Sequence, residues 1–144
     1  MEYFSAKAGS EVVIVRTDAG EDVLESLEKA VKDKGLWSGL IASGAGALSA
    51  AVLAAAKDYG PPPADELVRV GAPAELVALS GIIAGGVLDA RAVVAGPGGL
   101  AAGRLESGTV AAGPVEVVLL KLEGVRLGRE TDPETGFQRV VKMA

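Results

Sequence analysis

Four charged residues flank the glycine-rich turn Gly96-Pro97-Gly98-Gly99: Asp89 and Arg91 precede it, Arg104 and Glu106 follow it. A two-residue or a four-residue symmetric hairpin loop gives the same register there, with Arg91 opposite Arg104 and Asp89 opposite Glu106. Residues two apart on a strand share a face, so all four charges are expected on one side of a sheet. Like charges directly opposite disfavour pairing by up to about 1 kcal/mol unless diagonal partners compensate, and here the diagonals are Asp89 to Arg104 and Arg91 to Glu106. Two chemistries are open. The preferred one is a structural ion-pair network. The other is an arginine fork for a carboxylate or phosphate, because paired guanidinium groups hold planar anions bidentately.

Most other chemistry is excluded by what the chain lacks. It has no His and no Cys, which removes thiolate nucleophiles, Ser-His-Asp triads, zinc fingers, disulfides and every imidazole metal site. No general base with a partner can be named, so no catalytic residue is assigned and an enzyme is the less favoured reading. Gly44-Ala45-Gly46-Ala47-Leu48-Ser49 begins like a dinucleotide fingerprint, but Ser49 stands where the third glycine belongs and no helix is predicted to open there. Small residues that let two layers approach closely are the better account, and no cofactor is expected. Asp58, Asp65, Glu66 and Glu75 lie around a proline-rich loop and could hold magnesium or calcium through oxygen alone. A solvated loop is preferred, and no metal is assigned.

The 144 residues fit one domain, 49% hydrophobic but only 3% aromatic, which excludes disorder and implies a core built from small side chains. Fourteen basic against nineteen acidic residues give a net charge of -5, the wrong sign for affinity gained by neutralising phosphates. Lys29, Lys32 and Lys34 are interleaved with acids and read as a solvated helix face. Asn is absent and Gln occurs only at Gln138, a depletion that fits a thermophilic source; high-GC codon use accounts for the same Ala and Gly excess. Residues 1–7 do not read as a signal peptide, so a cytoplasmic protein is expected. The uncharged stretch 35–56 is long enough to cross a bilayer as a helix. Its glycines, serines and alanines favour two buried strands joined near 46–50 instead, and no membrane partner is expected.

One helix and many strands must position these residues. The apolar residues Val23, Leu24, Leu27, Ala30 and Val31 form a single stripe at helical period, predicting a helix over 21–34. Asp18 and Glu21 have capping-box spacing, Glu25 to Lys29 and Glu28 to Lys32 are favourable i, i+4 pairs, and Gly35 is a natural stop. Strands are predicted at 11–16, 37–44, 50–57, 67–70, 75–83, 87–95, 101–106 and 114–123, with 137–142 as a final edge strand. The run 115–122 is apolar on both alternating faces, so both are expected to be covered, either by a sheet that curls on itself or by another copy of the chain. The fold class that follows is α+β: a mostly antiparallel sheet with one main helix packed on it.

In order and spacing, several segments resemble the PPC (plant and prokaryote conserved) domain, over nearly the whole chain. They are the helix followed by Ser43-Gly44-Ala45-Gly46-Ala47-Leu48, then Glu75-Leu76-Val77-Ala78-Leu79-Ser80-Gly81, then 88–94. Gly103-Arg104-Leu105, Gly108-Thr109-Val110, Val115-Glu116-Val117 and the closing 129–136 complete the match. The motif positions are thus Gly44, Gly46, Glu75, Ser80, Gly81, Gly103, Gly108, Thr109 and Glu116. The resemblance implies a strongly curved sheet, a homotrimer, and a DNA-binding or regulatory role with DNA or another regulator as partner. Family members commonly carry a His-x-His pair where this chain has Asp89-Ala90-Arg91, and a further His where it has Arg104. It also has no AT-hook, and Ala72-Pro73-Ala74 replaces the plant-type Gly-Arg-Phe before Glu75. Metal binding is therefore not expected, direct DNA affinity is expected to be weak, and an anion- or small-molecule-binding trimer with a site between subunits is the alternative.

Overall fold

The periodic apolar stripe forms the one helix, α1 (Val23–Asp33), whose Val23, Leu27 and Val31 are buried. The cap differs from expectation. Asp-x-x-Glu spacing occurs twice in succession, and Asp22 rather than Asp18 is the N-cap, its carboxylate accepting from the Glu25 N–H at 3.0 Å. Asp18 and Glu21 instead close a turn just ahead, with the Asp18 N–H donating to Glu21 Oε1 at 2.8 Å. The second register wins because Asp22 also accepts from the Gly108 N–H at 2.7 Å, a tertiary bond that Asp18 does not make. Lys29 pairs with Asp33 rather than Glu25, and Lys34 pairs with Glu11.

The computed structural model describes residues 1–144, and around α1 it places eight strands. These are β1 (Lys7–Thr17), β2 (Ser38–Asp58), β3 (Ala64–Ala84), β4 (Val87–Gly96), β5 (Gly99–Leu105), β6 (Val110–Glu123), β7 (Leu127–Thr131) and β8 (Gln138–Lys142). The main sheet has the order β1-β6-β2-β3-β4-β5, every ladder antiparallel. β5 also pairs with the second half of β2 through Leu53 opposite Leu105 and Ala54 opposite Arg104, so β2, β3, β4 and β5 close on themselves. The α+β architecture is therefore as expected from the sequence. The uncharged stretch lies largely within β2, and no helix is long and apolar enough to cross a membrane.

Two expected pairs of strands are single strands. Residues 37–44 and 50–57 merge into β2, and residues 67–70 and 75–83 merge into β3, each 21 residues long. The supposed breaks are bulges. Between Leu48 opposite Ala74 and Ala50 opposite Gly71, two residues of β3, Ala72 and Pro73, face the single residue Ser49. A bulge tolerates proline because the residue it inserts owes no ladder hydrogen bond. β7 was not expected, and 138–142 is not an edge of the main sheet but pairs with β7 in a separate hairpin. β6 is covered on one face only: Val115, Val117 and Leu119 are buried, while Val118 and Leu120 on the other face stay partly exposed.

Thr109 joins the helix, β2 and the turn after β5. It is fully buried. Its hydroxyl accepts from the Val52 N–H at 3.1 Å and donates to the Glu106 carbonyl at 2.9 Å, and its own carbonyl accepts from the Val23 N–H at 2.8 Å. Thr109→Val keeps the shape but leaves the Val52 N–H without a partner in the core, at a cost of about 1 to 3 kcal/mol. Urea denaturation should show that loss as a lower midpoint with an unchanged slope.

Candidate functional site

The hairpin register around Gly96 to Gly99 is the one expected, with Arg91 directly opposite Arg104. The ladder ends at that pair. Glu106 leaves it to donate its N–H to the Val52 carbonyl at 3.0 Å, so Glu106 is not placed opposite Asp89. The diagonal ion pairs therefore do not form. Each arginine instead takes the carboxylate two residues away on its own strand: Arg91 Nε and Nη2 donate to Asp89 at 3.0 and 3.2 Å, and Arg104 Nε and Nη2 donate to Glu106 Oε1 at 3.2 and 3.1 Å. Neighbours at i and i+2 share a face, and the guanidinium fork reaches a carboxylate there without crossing the like charge opposite.

Two residues that the sequence did not connect to the cluster complete it. Asp65, at the start of β3, lies 3.3 Å from Arg104 Nη2, and Arg129, on β7, lies 3.6 Å from Asp89. They belong to a cleft of about 480 Å³ between the far half of β2, the proline loop, β3, β4, β5 and the β7–β8 hairpin. Asp58, Tyr59, Phe137 and Gln138 also line it, and the Tyr59 and Phe137 rings stand 5.6 Å apart between centroids. The volume falls in the range of small-molecule sites, roughly 300 to 1,000 Å³.

The hairpin that delivers Arg129 is docked by backbone bonds. The Leu127 N–H donates to the buried Ser38 hydroxyl at 2.9 Å, and the Leu127 carbonyl accepts from the Gly85 N–H at 2.8 Å. Its turn is held by Asp132, which accepts from the Glu134 N–H at 2.9 Å. That bond, foremost, holds the Asp132 carboxyl below its ordinary range. The turn thus keeps this support above the ordinary carboxylate range and loses it only as pH falls through the lowered value.

The motif glycines bring the strands together. A Cβ on Gly81 would stand 1.9 Å from the Asp89 carbonyl oxygen, and one on Gly103 would stand 2.7 Å from the Ala54 carbonyl oxygen, so β4 and β5 carry the arginines in by backbone contact. Gly44 would meet Leu79 at 2.9 Å and Gly46 would meet the Pro114 carbonyl oxygen at 2.5 Å, which supports close packing rather than a nucleotide fingerprint. Ser80 lies opposite Arg91 and is exposed. Glu75 and Glu116 are exposed on the sheet, opposite Ala47 and Ala45. The four acids considered for an oxygen-only metal site are not gathered: Asp65 pairs with Ala56, Glu75 with Ala47, and no metal-holding group of His, Cys, Asp or Glu forms.

Residues 4–123 match the Plants and Prokaryotes Conserved (PCC) domain. The chain belongs to this family. Three solved structures share the PCC fold at 17 to 24% identity. A metal-containing protein from Archaeoglobus fulgidus is 24% identical, with 98% of this chain and 99% of that one covered and a TM-score of 0.84. A plant- and prokaryote-conserved protein from Pyrococcus horikoshii is 17% identical, with 99% and 100% covered and a TM-score of 0.79. A candidate DNA-binding protein from Bacteroides thetaiotaomicron is 22% identical, with 95% and 96% covered and a TM-score of 0.78. No curated protein shows significant similarity to the chain.

A metal does not fit the residues that this PCC domain carries at the cluster. Arg91 and Arg104 have no lone pair to give, and both Asp89 oxygens are engaged by Arg91. Elemental analysis of protein purified without a tag should find no stoichiometric zinc. Because the Arg104 and Glu106 side chains remain 40% and 31% exposed, Arg104→Ala should cost under about 1 kcal/mol in thermal unfolding.

Proposed function

We propose that this PCC domain is a regulatory assembly module of the cytoplasm, a homotrimer that contributes to DNA-associated regulation by holding copies and partner proteins together rather than by gripping the duplex. The observation that carries this reading is an uncovered apolar row on the outer face of the main sheet. Val12 on β1, Leu120 on β6, Leu40 on β2 and Ile82 on β3 are successive cross-strand neighbours, with Ile14 beside Val118 in the next row. Their chain neighbours Val13, Leu119, Ile41 and Ile83 point into the core, so this row points out. Ile14 is 71% and Val12 is 55% exposed. Contiguous apolar surface rimmed by charge marks an association face, and a ring of three copies closes such a face without leaving an open end.

The charge supports the second half of the reading. At net -5, the chain repels a polyanion, and no basic element is long enough to enter a groove. The description of the Bacteroides relative as a candidate DNA-binding protein is what brings DNA into the reading at all.

Light scattering at micromolar concentration should give three times the 14.4 kDa chain mass. Ile14→Asp should lower that mass while leaving a folded, cooperatively melting protein; a wild-type monomer would end the proposal. Gel-shift titration at physiological salt should find duplex affinity no tighter than nonspecific binding, roughly 10⁻⁴ to 10⁻⁶ M. Nanomolar affinity with a steep salt slope would make the protein itself the DNA-binding element.

A further inference from the structure

The carboxylates in and beside the cleft orient Arg91 and Arg104 without using them up. Asp89 takes the Nε and Nη2 edge of Arg91, Glu106 takes the same edge of Arg104, and Asp65 stands 3.3 Å from Arg104 Nη2. An arginine has five N–H donors, so each keeps its Nη1 side for another acceptor. Arg129 is less satisfied still. Its nearest carboxylate, Asp89, stands 3.6 Å away, beyond hydrogen-bond reach, and its Nε–H is shut off from water with no acceptor at all. Arg129 thus lines the cleft with one buried N–H unsatisfied and a single long ion pair for its charge.

The other walls narrow the chemistry of that partner. The lining charges Arg91, Arg104 and Arg129 are matched in number by Asp58, Asp65 and Asp89, so the acids oppose a polyanion and what remains for a ligand is the free guanidinium N–H groups, which suit one compact anionic group. Tyr59 and Phe137 are both exposed into it with a tilted edge between them, a surface suited to a flat ring. We propose that this cleft binds a small ring-bearing oxyanion, an aromatic or heterocyclic carboxylate or phosphate ester, whose anionic group is held by Arg91, Arg104 and Arg129 and whose ring lies against Tyr59 and Phe137. Arg129 changes partner on binding, turning toward the ligand from its long contact with Asp89. The site is complete within one chain.

The test uses the full chain with ¹⁵N-labelled arginine, titrated at constant ionic strength with benzoate, phenyl phosphate, acetate and inorganic phosphate. The Arg129 Nε–H resonance should move saturably with benzoate or phenyl phosphate. Half-saturation should come at about tenfold lower concentration than for acetate or inorganic phosphate respectively, the increment that one good aromatic contact supplies. At tenfold the half-saturating concentration, the melting temperature should rise by about 3 to 6 °C. Tyr59→Ala should remove the preference for a ring, and Arg129→Lys, which keeps the charge but loses the fork, should raise half-saturation at least tenfold. An Arg129 signal that none of the four probes moves, equal responses to ringed and ringless probes, or unchanged affinity in Arg129→Lys would each overturn the assignment. The resonance and the preference for a ring are read on the wild-type protein, so these two outcomes do not depend on either variant folding.

Discussion

A single strand has to satisfy three partners. β2 runs 21 residues, its first half between β6 and β3 and its second half between β3 and β5. A strand so enclosed has both edges hydrogen-bonded and close backbone on several sides, and only small side chains fit the tightest places. Gly44 and Gly46 on β2 and Gly103 on β5 meet neighbouring atoms at distances that a real Cβ does not reach. At these places glycine is a condition of the packing, and at Gly103, against Ala54, it is a condition of the closure itself. Closure in turn places Arg104 against Ala54 and brings β5 to the rim of the cleft.

The same constraint explains what could and could not be read from the sequence. α1 was legible because its apolar stripe and its acidic start depend only on local spacing, although the choice between Asp18 and Asp22 as cap turned on Gly108, some 86 residues away. The hairpin register was legible because a symmetric turn fixes it. The continuity of β2 and β3 was not, since 46–50 and 71–74 carry the glycines and the proline that normally end a strand. Bulges resolve the conflict by letting the partner strand absorb the irregular residues, a solution visible only once both strands are paired.

The charged cluster shows the limit of pairwise strand reasoning from the other side. Asp89, Arg91 and Arg104 were placed on one face correctly, but the expected diagonal bridges lost to bridges along each strand. Asp65 and Arg129 entered from elements that no local pattern connects to the hairpin. The turn Asp132-Pro133-Glu134-Thr135-Gly136 could have announced a second hairpin. Nothing in the sequence says that this hairpin docks through Ser38 and Gly85. It also lies beyond the residues that match the family, so the cleft joins family sheet to a part of the chain that the match leaves aside.

Global charge and local charge then pull in different directions, and the distance scale separates them. At physiological salt, the net charge of -5 acts only within about 8 Å of the surface, so it opposes an extended polyanion wherever the two lie in contact, and a proposed trimer triples that charge. Inside the cleft, the relevant field is set within a few ångströms by guanidinium groups whose orientation is already fixed by Asp89, Glu106 and Asp65. A ligand with one anionic group would meet several of those donors at once, which a diffuse field does not offer. On the proposed reading, an acidic protein would discriminate against nucleic acid by its overall field while recognising a small anion by geometry. The arginines need the carboxylates beside them for that discrimination, because without such anchors the same three positive charges would attract polyanions as well.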